Sequence, residues 1–349
     1  LFLVDKASGR TVRQWTYDNQ NPAGLSANIL AALHIDEEDN LWVSAWTKGV
    51  DYTNLRKLKF QTRRFYTTDV SGESHLFVPG PMLQDSRKRI WCGSQMQGLL
   101  ALQNDGIQYE DFSALAPAPD QLFDLGDGRL LVNNFGSGLS ILNPEIRQAH
   151  NLLRNGEPVA RFHICRVSPH EFVLASGVGA PGLLKLTVSG LQYKFESIGS
   201  EQVISKDWYY VICQSAHEFL MADDNYTVYY FNEAHDKPLE QVTALPGYIN
   251  CSLEDEQNIW LGGSFGLCRI SRVNHAFQYI TAKEGLTDNM IYAILRLNPR
   301  EWWLSTGKGL VRFDPITLHF QKFGLADGLQ AFEYNRRSCL HASDGSVWF

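Results

Sequence analysis

The sequence predicts an all-β fold, and three observations carry that prediction. One phrase recurs along the 349 residues: an apolar strand, a polar turn, and a second apolar strand that usually holds Trp or Phe. Within each copy, apolar and polar residues alternate with the period of two that is typical of strands. Amphipathic windows rich in Ala, Leu and Glu are scarce, which argues against helical repeats of similar length. With 44% hydrophobic and 12% aromatic residues, the chain can fill a large core.

The repeated phrase occurs eight times. Its copies are LHIDEEDNLWVSA (33–45), MLQDSRKRIWCGS (82–94), FDLGDGRLLVNN (123–134), CRVSPHEFVLAS (165–176), CQSAHEFLMAD (213–223), SLEDEQNIWLGG (252–263), LRLNPREWWLST (295–306) and LHASDGSVWF (340–349). A residue of the second strand serves as marker, taken as Trp42, Trp91, Leu130, Phe172, Phe219, Trp260, Trp303 and Trp348. Successive markers are 39 to 49 residues apart, which fits a four-stranded propeller blade.

The remainder of each repeat supports this interpretation. A Gly-bearing turn and a third strand follow the marker strand, as in KGVDYT (48–53) and FGLCRIS (265–271), and a weaker fourth strand ends in an aromatic residue. Glycine supplies the positive φ that a tight hairpin needs. We therefore expect residues 1–349 to form a single β-propeller domain of four-stranded antiparallel blades, with seven blades, eight being possible. The chain is expected to be a fragment truncated at both ends.

Charge and cysteine usage exclude several classes of function. The net charge of −7 gives no support for nucleic-acid binding, and the basic stretch at Arg56, Lys57, Lys59, Arg63 and Arg64 is interpreted as a solvated loop and strand. No run of about 18 apolar residues predicts a membrane span, so membrane attachment is expected only through segments outside this sequence. The six cysteines are widely spaced, without a C-x-x-C or Cys/His cluster, and predict buried free thiols. Neither a metal site nor a cofactor is expected.

Several copies resemble a known repeat. The segments Gly24-Leu25-Ser26-Ala27-Asn28-Ile29 and Gly285-Leu286-Thr287-Asp288-Asn289-Met290-Ile291, followed by Leu41-Trp42-Val43-Ser44-Ala45 and Ile259-Trp260-Leu261-Gly262-Gly263, resemble the two-component regulator propeller repeat. The segment 327–349 is similar to the last propeller repeat of these sensors. The resemblance is loose between about 110 and 240, where Leu or Phe stands in place of Trp.

The resemblance implies a periplasmic sensing domain of an inner-membrane signalling protein. Its output would be a histidine kinase, as in hybrid two-component systems, or a diguanylate cyclase, and the full-length protein is expected to be a homodimer. In the best-known members of the family the signals are oligosaccharides. The expected partner is therefore a small molecule or oligosaccharide, or a partner protein.

Two strings match enzyme signatures, but their context favours hairpins. The G-x-G-x-x-G at 177–182 leads into a strand where a dinucleotide site needs a helix, and the G-x-S-x-G at 262–266 joins two strands, so Ser264 is interpreted as a turn residue. No catalytic residue is predicted. Loops that break the repeat directly after marker strands supply the candidate ligand contacts Trp46, Asn133, Asn134, Asp223, Asp224 and Asn225.

Four amides recur where one blade is expected to cross over to the next. A side-chain amide at such a position can bond backbone groups of a turn, and this structural role is favoured over sugar binding. The four are Asn28, Asn250, Asn289 and Asn335.

The leading interpretation is a ligand-sensing propeller domain that is not itself an enzyme. Two alternatives stay open at this point. One is a propeller enzyme, a lyase or glycoside hydrolase, which would need an acid and base pair in the channel mouth. The other is a scaffold that only holds protein partners.

Overall fold

The computed structural model describes residues 1–6, 9–18, 24–36, 40–54, 60, 63–68, 71–103, 108–159, 162–176, 182–235, 239–331 and 333–349. Nearly all regular structure in these ranges is antiparallel β-sheet, so the predicted all-β fold is confirmed. The helical elements described are α1 (Glu201–Ile204) and the 3₁₀ turns Glu233–His235 and Leu325–Asp327. None of the described helices is long and apolar enough to cross a membrane. Arg56, Lys57 and Lys59, and residues 177–181 of the glycine motif, lie outside the described residues.

The chain divides into two compact units. Unit 1 comprises Leu1–Thr62, Lys308–Leu310 and Gln321–Glu333, and unit 2 comprises Arg63–Gly307, Val311–Phe320 and Tyr334–Phe349. The expectation of one domain over residues 1–349 stays a prediction. Unit 1 has a two-stranded and a three-stranded sheet, made of β1 (Phe2–Val4) and β2 (Thr11–Gln14), and of β3 (Leu30–Ile35), β4 (Asn40–Ala45) and β5 (Gly49–Asn54).

The sheets that begin in unit 2 follow the repeats, and each four-stranded sheet keeps its strands in chain order. A hairpin of β6 (Tyr66–Thr68) and β7 (Ser74–Leu76) comes first. Sheet A has β8 (Met82–Gln84), β9 (Ile90–Ser94), β10 (Gly98–Leu102) and β11 (Tyr109–Asp111). Sheet B has β12 (Pro119–Asp124), β13 (Leu130–Asn134), β14 (Gly138–Asn143) and β15 (Gln148–Asn151), and the short hairpin β16 (Leu153–Arg154) and β17 (Glu157–Pro158) follows it.

Four further sheets complete the order. Sheet C has β18 (Phe162–Ser168), β19 (Glu171–Ser176), β20 (Gly182–Ser189) and β21 (Gln192–Ile198). Sheet D has β22 (Trp208–Cys213), β23 (Glu218–Asp223), β24 (Thr227–Asn232) and β25 (Glu240–Ala244). Sheet E has β26 (Ile249–Glu254), β27 (Asn258–Gly263), β28 (Gly266–Ser271) and β29 (Phe277–Ile280). Sheet F has β30 (Ile291–Asn298), β31 (Glu301–Thr306), β32 (Gly309–Asp314) and β33 (His319–Phe323), and the hairpin β34 (Leu340–His341) and β35 (Val347–Trp348) comes last.

An aspartate fixes the turn between the first two strands in several repeats. In sheet E, Asp255 accepts the backbone N–H of Gln257 and Asn258 at 2.8 and 2.7 Å and the indole Nε1–H of Trp260 at 2.7 Å. Asp85 and Asp36 accept the indole N–H of Trp91 and Trp42 in the same way, at 2.9 and 3.0 Å. The recurring Asp and Trp of the sequence pattern thus belong to one turn module.

The first strands of the unit 2 sheets lie side by side. β8 contacts β12, β18 contacts β22, β26 contacts β30, and β34 contacts both β30 and β8. Polar side chains also join neighbouring first strands through backbone groups. The Gln121 amide bonds both the N–H and the carbonyl of Ile164 (2.8 and 2.9 Å), and the Tyr209 hydroxyl accepts the N–H of Ile249 at 3.0 Å. These bonds satisfy polar side chains where the sheets converge.

The second strands fill the space between sheets. In sheets B, C and D the residue that packs against the following sheet is not the predicted marker residue. Trp91 packs against Leu122 and Val132 of the following sheet, and Trp260 packs against Trp302, also in the following sheet. By contrast Leu130, Phe172 and Phe219 pack against the preceding sheet. Since successive residues of a strand point to opposite faces, these three markers are displaced by one residue; the equivalent positions are Leu131, Val173 and Leu220.

All six cysteines are free thiols, with Cys92, Cys251 and Cys268 buried and Cys165, Cys213 and Cys339 half-buried. Burial raises the pKa of the Cys92 and Cys268 thiols to about 12. These groups therefore pack as small neutral hydrophobes at physiological pH.

Candidate functional site

A cavity of 530 Å³ lies within unit 2, where chain segments from five of its sheets converge. A volume of this size is within the usual range for small-molecule sites. Its wall is formed by Val78, Gly80, Pro81, Ser94, Gln95, Met96, Asp120, Tyr248, Asn250, Tyr292, Asn335 and Arg336. All of these described wall residues belong to unit 2.

The topology explains why these segments meet. Residues 78–81 and 248 directly precede first strands, and residues 335–336 lie a few residues before β34. Asp120, Asn250 and Tyr292 lie within the first two residues of their first strands. Ser94–Met96 forms the turn between the second and third strands of sheet A. In an antiparallel sheet the start of the first strand and the turn between the second and third strands lie at the same end. The cavity therefore opens at the end where the first strands begin.

An ion pair anchors one side of the cavity. The Arg337 guanidinium donates to the Asp120 carboxylate at 2.5 Å and to the Asp120 backbone carbonyl at 3.1 Å. The Gln95 amide Nε2–H donates to the other oxygen of the Asp120 carboxylate at 2.5 Å. The charge of Asp120 is thus compensated by a neighbouring cation before any ligand arrives.

The segment Tyr334–Phe349 is joined to sheet A and sheet B by side-chain bonds. Besides the Arg337–Asp120 pair, the Asn335 amide donates to the Pro79 carbonyl at 2.8 Å. Farther along, the Ser343 backbone N–H donates to the Gln84 side-chain oxygen at 2.7 Å. This segment therefore lies in the cavity wall and is also tied to β8, the first strand of sheet A.

Asn250 gives the wall an acceptor that has no partner. Its amide Nδ2–H donates to the Ile291 carbonyl at 2.8 Å, and because a carbonyl can only accept, this bond fixes the orientation of the amide. The side chain is 1% exposed, and the Oδ1 atom has no hydrogen-bond partner among the described residues. A ligand donor that reached this oxygen would satisfy it.

Two tyrosines and one arginine complete the chemically useful part of the wall. Tyr248 is 38% exposed, and its hydroxyl lies 3.7 Å from the Met290 sulfur. Tyr292 follows the first residue of β30. Arg336 is exposed and, within the described ranges, makes no hydrogen bond, ion pair or ring contact. The cavity thus combines aromatic faces, amides and one unpaired guanidinium.

His163 lies on β18 at a position where it joins sheets C and D. Its ring is stacked on Tyr210 with centroids 3.6 Å apart, and its Nδ1 lies 3.0 Å from the Val211 carbonyl. Burial holds the pKa of His163 well below its ordinary value, and the positive charge of Arg337 lowers it further. The hydrogen bond to the Val211 carbonyl raises the pKa of His163, but by less than burial and Arg337 lower it. His163 is therefore neutral and serves as a structural link.

The predicted ligand contacts of sheets B and D lie in or beside their second turns, outside the cavity wall. Asn133 and Asn134 are buried at the end of β13, where the Asn134 Nδ2–H donates to Ser140 Oγ at 3.3 Å and the Oδ1 atom has no partner among the described residues. Asp223 accepts the backbone N–H groups of Asn225 and Thr227, both at 3.0 Å.

Asp223 also forms an ion pair with Lys206 at 2.9 Å, while Asp224 and Asn225 are exposed at the tip of this turn. Burial acts to raise the pKa of Asp223, but the Lys206 bond and the backbone N–H groups lower it more. Trp46 is in unit 1, directly after β4, and is 64% exposed. A ligand role for these six residues stays a prediction.

The four recurring amides all bond backbone groups. The side-chain oxygens of Asn28 and Asn289 accept the N–H of Tyr17 and Ala282 at 2.6 and 2.8 Å. The side-chain N–H groups of Asn250 and Asn335 donate to Ile291 and Pro79, as described above. Asn250 and Asn335 also line the cavity, so these two combine a backbone bond with a place in the wall.

Sequence reasoning missed Gln95, Met96, Tyr248, Tyr292 and Arg336. Gln95 and Met96 follow the second strand of sheet A, which is the position that Trp46 and Asp224 occupy in their repeats. The copy at 82–94 keeps the repeat pattern, so no irregularity marks these two residues as candidates. The other three are neighbours of the recurring amides or of first strands. Within the described residues no group of three His, Cys, Asp or Glu side chains could hold a metal ion.

Comparison with known proteins gives structural likeness at low sequence identity. No protein-family model matches the chain, and no curated protein matches it. The extracellular domain of the putative hybrid two-component system BT4673 from B. thetaiotaomicron matches with a TM-score of 0.61 and 15% identity, over 96% of this chain and 48% of that one. A second crystal structure, of the extracellular domain of the putative one-component system BT4673, matches with a TM-score of 0.62 and 15% identity, over 99% of this chain and 49% of that one.

YCF48 from Cyanidioschyzon merolae also matches, with a TM-score of 0.54 and 15% identity, over 78% of this chain and 94% of that one. The chain spans about half the length of the two extracellular domains that it matches. An all-β fold of four-stranded antiparallel sheets, consistent with a propeller, is shared with extracellular domains of two-component systems.

Proposed function

We propose that the chain is a ligand-sensing propeller from the extracytoplasmic part of a membrane-bound signalling protein of the two-component type, and that a small molecule binds in the cavity of unit 2. The observation that carries this proposal is the cavity itself, where residues from five sheets, with aromatic and amide side chains among them, surround one volume. The likeness to extracellular domains of such systems supports the cellular context.

A ring of seven first strands best explains the contacts between the sheets of unit 2. β8, β12, β18, β22, β26, β30 and β34 contact or bond one another in sequence, and β34 contacts β8. Closure of this kind removes the open edge between the first and last sheets. We therefore propose a seven-bladed ring in which the β34–β35 hairpin belongs to the seventh blade, and eight blades are not needed.

Binding without catalysis fits the composition of the wall. A glycoside hydrolase uses two carboxyl groups that flank the substrate. Of the described residues that line this cavity, Asp120 alone carries a carboxyl group, and that group already bonds to Arg337 and Gln95. This observation favours a sensor over a hydrolase.

A signal would arise through the segment Tyr334–Phe349. A ligand that contacts Asn335 or Arg336 acts on the chain that also carries the Arg337–Asp120 pair and the Ser343 bond to Gln84. It shifts a two-state equilibrium only if it binds one arrangement of this segment more tightly than the other. For the full-length protein we propose a periplasmic location, a homodimer and a histidine kinase or diguanylate cyclase output.

Thermal unfolding with saccharide probes tests the proposal. Maltotriose, cellotriose, xylotriose and trigalacturonate are added to the purified chain at millimolar concentration, and the melting temperature is recorded. At least one probe is expected to raise it, because a ligand that binds only the folded state stabilises that state. Tyr248→Ala is expected to abolish the rise, and Phe277→Ala, which removes an exposed ring from β29 outside the cavity, to preserve it.

Two results would contradict the proposal. One is that no probe changes the melting temperature. The other is that the rise survives Tyr248→Ala, since the ligand would then bind elsewhere.

A further inference from the structure

We propose that the ligand carries a carboxylate, and that Arg336 pairs with it: the site takes an acidic saccharide in preference to a neutral one. This inference rests on the proposed function, because it assigns the chemical class of the ligand in the same cavity. It depends on three features of the wall, which are the charge balance, the geometry of the segment 334–337 and the hydrogen-bonding groups that surround Arg336.

Counted together with Arg337 beside it, the described part of the cavity wall carries a net positive charge, although the protein as a whole is acidic. The chain has a net charge of −7, yet the described residues that line its cavity include one carboxylate, Asp120, and one guanidinium, Arg336. Asp120 is neutralised by Arg337, which lies beside the cavity. The charge that remains uncompensated is therefore that of Arg336, and it favours an anion.

The segment that carries Arg336 is held on both sides. Asn335 is fixed to the Pro79 carbonyl and Arg337 to Asp120, so the backbone of residue 336 has little freedom. The Arg336 side chain itself has no protein partner in the described part of the chain. A guanidinium offers two parallel N–H donors that match a carboxylate, and a backbone fixed on both sides lowers the entropy lost on binding.

The neighbours of Arg336 suit a polyhydroxylated molecule. Tyr248 and Tyr292 line the cavity, and aromatic rings can lie against the apolar face of a sugar. The unpartnered Oδ1 of Asn250 accepts a hydrogen bond, which a hydroxyl can donate and a carboxylate cannot. A molecule with both hydroxyl and carboxylate groups satisfies Asn250 and Arg336 together, whereas a neutral sugar leaves the guanidinium unpaired.

Calorimetric titration with a matched pair of probes tests the inference. Trigalacturonate and its fully methyl-esterified form have the same sugar skeleton and differ in charge. The acid is expected to bind the wild-type chain at least about tenfold more tightly than the ester, because a charge-assisted hydrogen bond is worth at least that factor. Binding of the acid should weaken as the salt concentration rises, and binding of the ester should not.

Substitutions of Arg336 test whether this residue causes the preference for the acid over the ester. Arg336→Gln is expected to weaken binding of the acid about tenfold or more and to leave the ester unchanged. Arg336→Lys should bind the acid more tightly than Arg336→Gln but less tightly than wild type, because lysine has the positive charge but lacks the two parallel N–H donors of the guanidinium. Arg300→Gln is the matched control, since Arg300 is an exposed arginine in the turn between β30 and β31 and does not line the cavity.

The possible failures are distinguishable. If acid and ester bind equally and Arg336→Gln changes neither, while Tyr248→Ala abolishes both, the carboxylate inference is overturned and the cavity remains the binding site. If the acid is preferred and Arg336→Gln has no effect, the assignment to Arg336 is overturned. If neither probe binds, or if Tyr248→Ala changes neither, both the inference and the proposed function fail.

Discussion

Trp42 in unit 1 and Trp260 in unit 2 occupy the same place in the repeat, but their surroundings differ. Each donates its indole N–H to an aspartate of the preceding turn, at 3.0 Å to Asp36 and 2.7 Å to Asp255. Trp260 is 1% exposed and packs edge-on against Trp302, with ring centroids 5.1 Å apart. Trp42 is 40% exposed, although its ring lies 4.6 Å from that of Tyr52 on the next strand.

The comparison distinguishes the interactions that form within one repeat from the burial that requires a neighbouring sheet. The turn aspartate, the indole bond and the antiparallel register arise within one repeat, so both regions have them. Burial of the marker tryptophan requires a second sheet against its face, and in unit 2 sheet F supplies this for Trp260. The local sequence thus determines the turn module, whereas most of the hydrophobic stabilisation comes from contacts between repeats.

The largest expected effect is the loss of the buried indole. Trp260→Ala should lower the free energy of unfolding by about 3–5 kcal/mol, because it removes a fully buried side chain and leaves a cavity beside Trp302. Trp42→Ala should lower it by less than about 2 kcal/mol. Both variants lose the same hydrogen bond to an aspartate, so the difference between them reports the neighbouring sheet. Urea unfolding followed by far-UV circular dichroism measures both, and equal losses would contradict the account.

A second comparison concerns the glycine that begins the third strand. Gly266 and Gly49 have φ values of +92° and +95°, where side chains other than glycine are strained. A Cβ at Gly266 would lie 2.5 Å from the Ile280 carbonyl oxygen, while a Cβ at Gly49 would have no atom within 4 Å.

Gly49→Ala should therefore show the backbone strain alone, about 1–2 kcal/mol. Gly266→Ala should lose about 2–4 kcal/mol, because the steric contact with Ile280 is added to the strain. The same urea titration measures both variants. If Gly49→Ala is the more damaging of the two, close packing of the turn glycine is not what distinguishes the two regions.

The turn aspartate is expected to contribute less to stability than the buried indole. Asp255→Asn should lower stability at neutral pH by about 1–3 kcal/mol, because an amide nitrogen would face an N–H donor. Burial acts to raise the pKa of Asp255, but the bonds from Trp260 and the backbone of Gln257 and Asn258 lower it more. Because the folded pKa is depressed, this contribution is present above pH ~4 and is lost as the pH falls through the folded pKa.

The measurement is urea unfolding of wild type and Asp255→Asn at several pH values between neutral and about 3. The difference between the two proteins should shrink toward acid pH. A difference that stays constant would show that the carboxylate charge does not stabilise the turn.

Much of the fold could be predicted because it is local. Hairpins and turn glycines are encoded within each repeat, the Asp–Trp turn is encoded within several of them, and the repeat period predicted the four-stranded sheets. The markers in sheets B, C and D were displaced by one residue, because Leu130 and Leu131, or Phe172 and Val173, are both large and apolar, so size alone does not show which face each one occupies. The sequence also did not predict the division of the chain into two units, because that division depends on contacts between repeats.

The site was predictable only in part. The sequence suggested loops after second strands and four crossover amides, and two of these amides, Asn250 and Asn335, line the cavity. Tyr248, Tyr292 and Arg336 come from three different repeats, and no local signal shows that they converge. Arg337 beside Arg336 looks equivalent in sequence, yet one is paired with Asp120 and the other is not.

The central claim, that a ligand binds at the end of unit 2 where its first strands begin, is tested most directly by hydrogen exchange of the chain with and without saturating trigalacturonate. The account predicts slower exchange in 78–81, 94–96, 248–250 and 335–337, and little change in the turns at Trp46 and Asp224. Protection confined to those two turns, or no protection in the four segments, would contradict it.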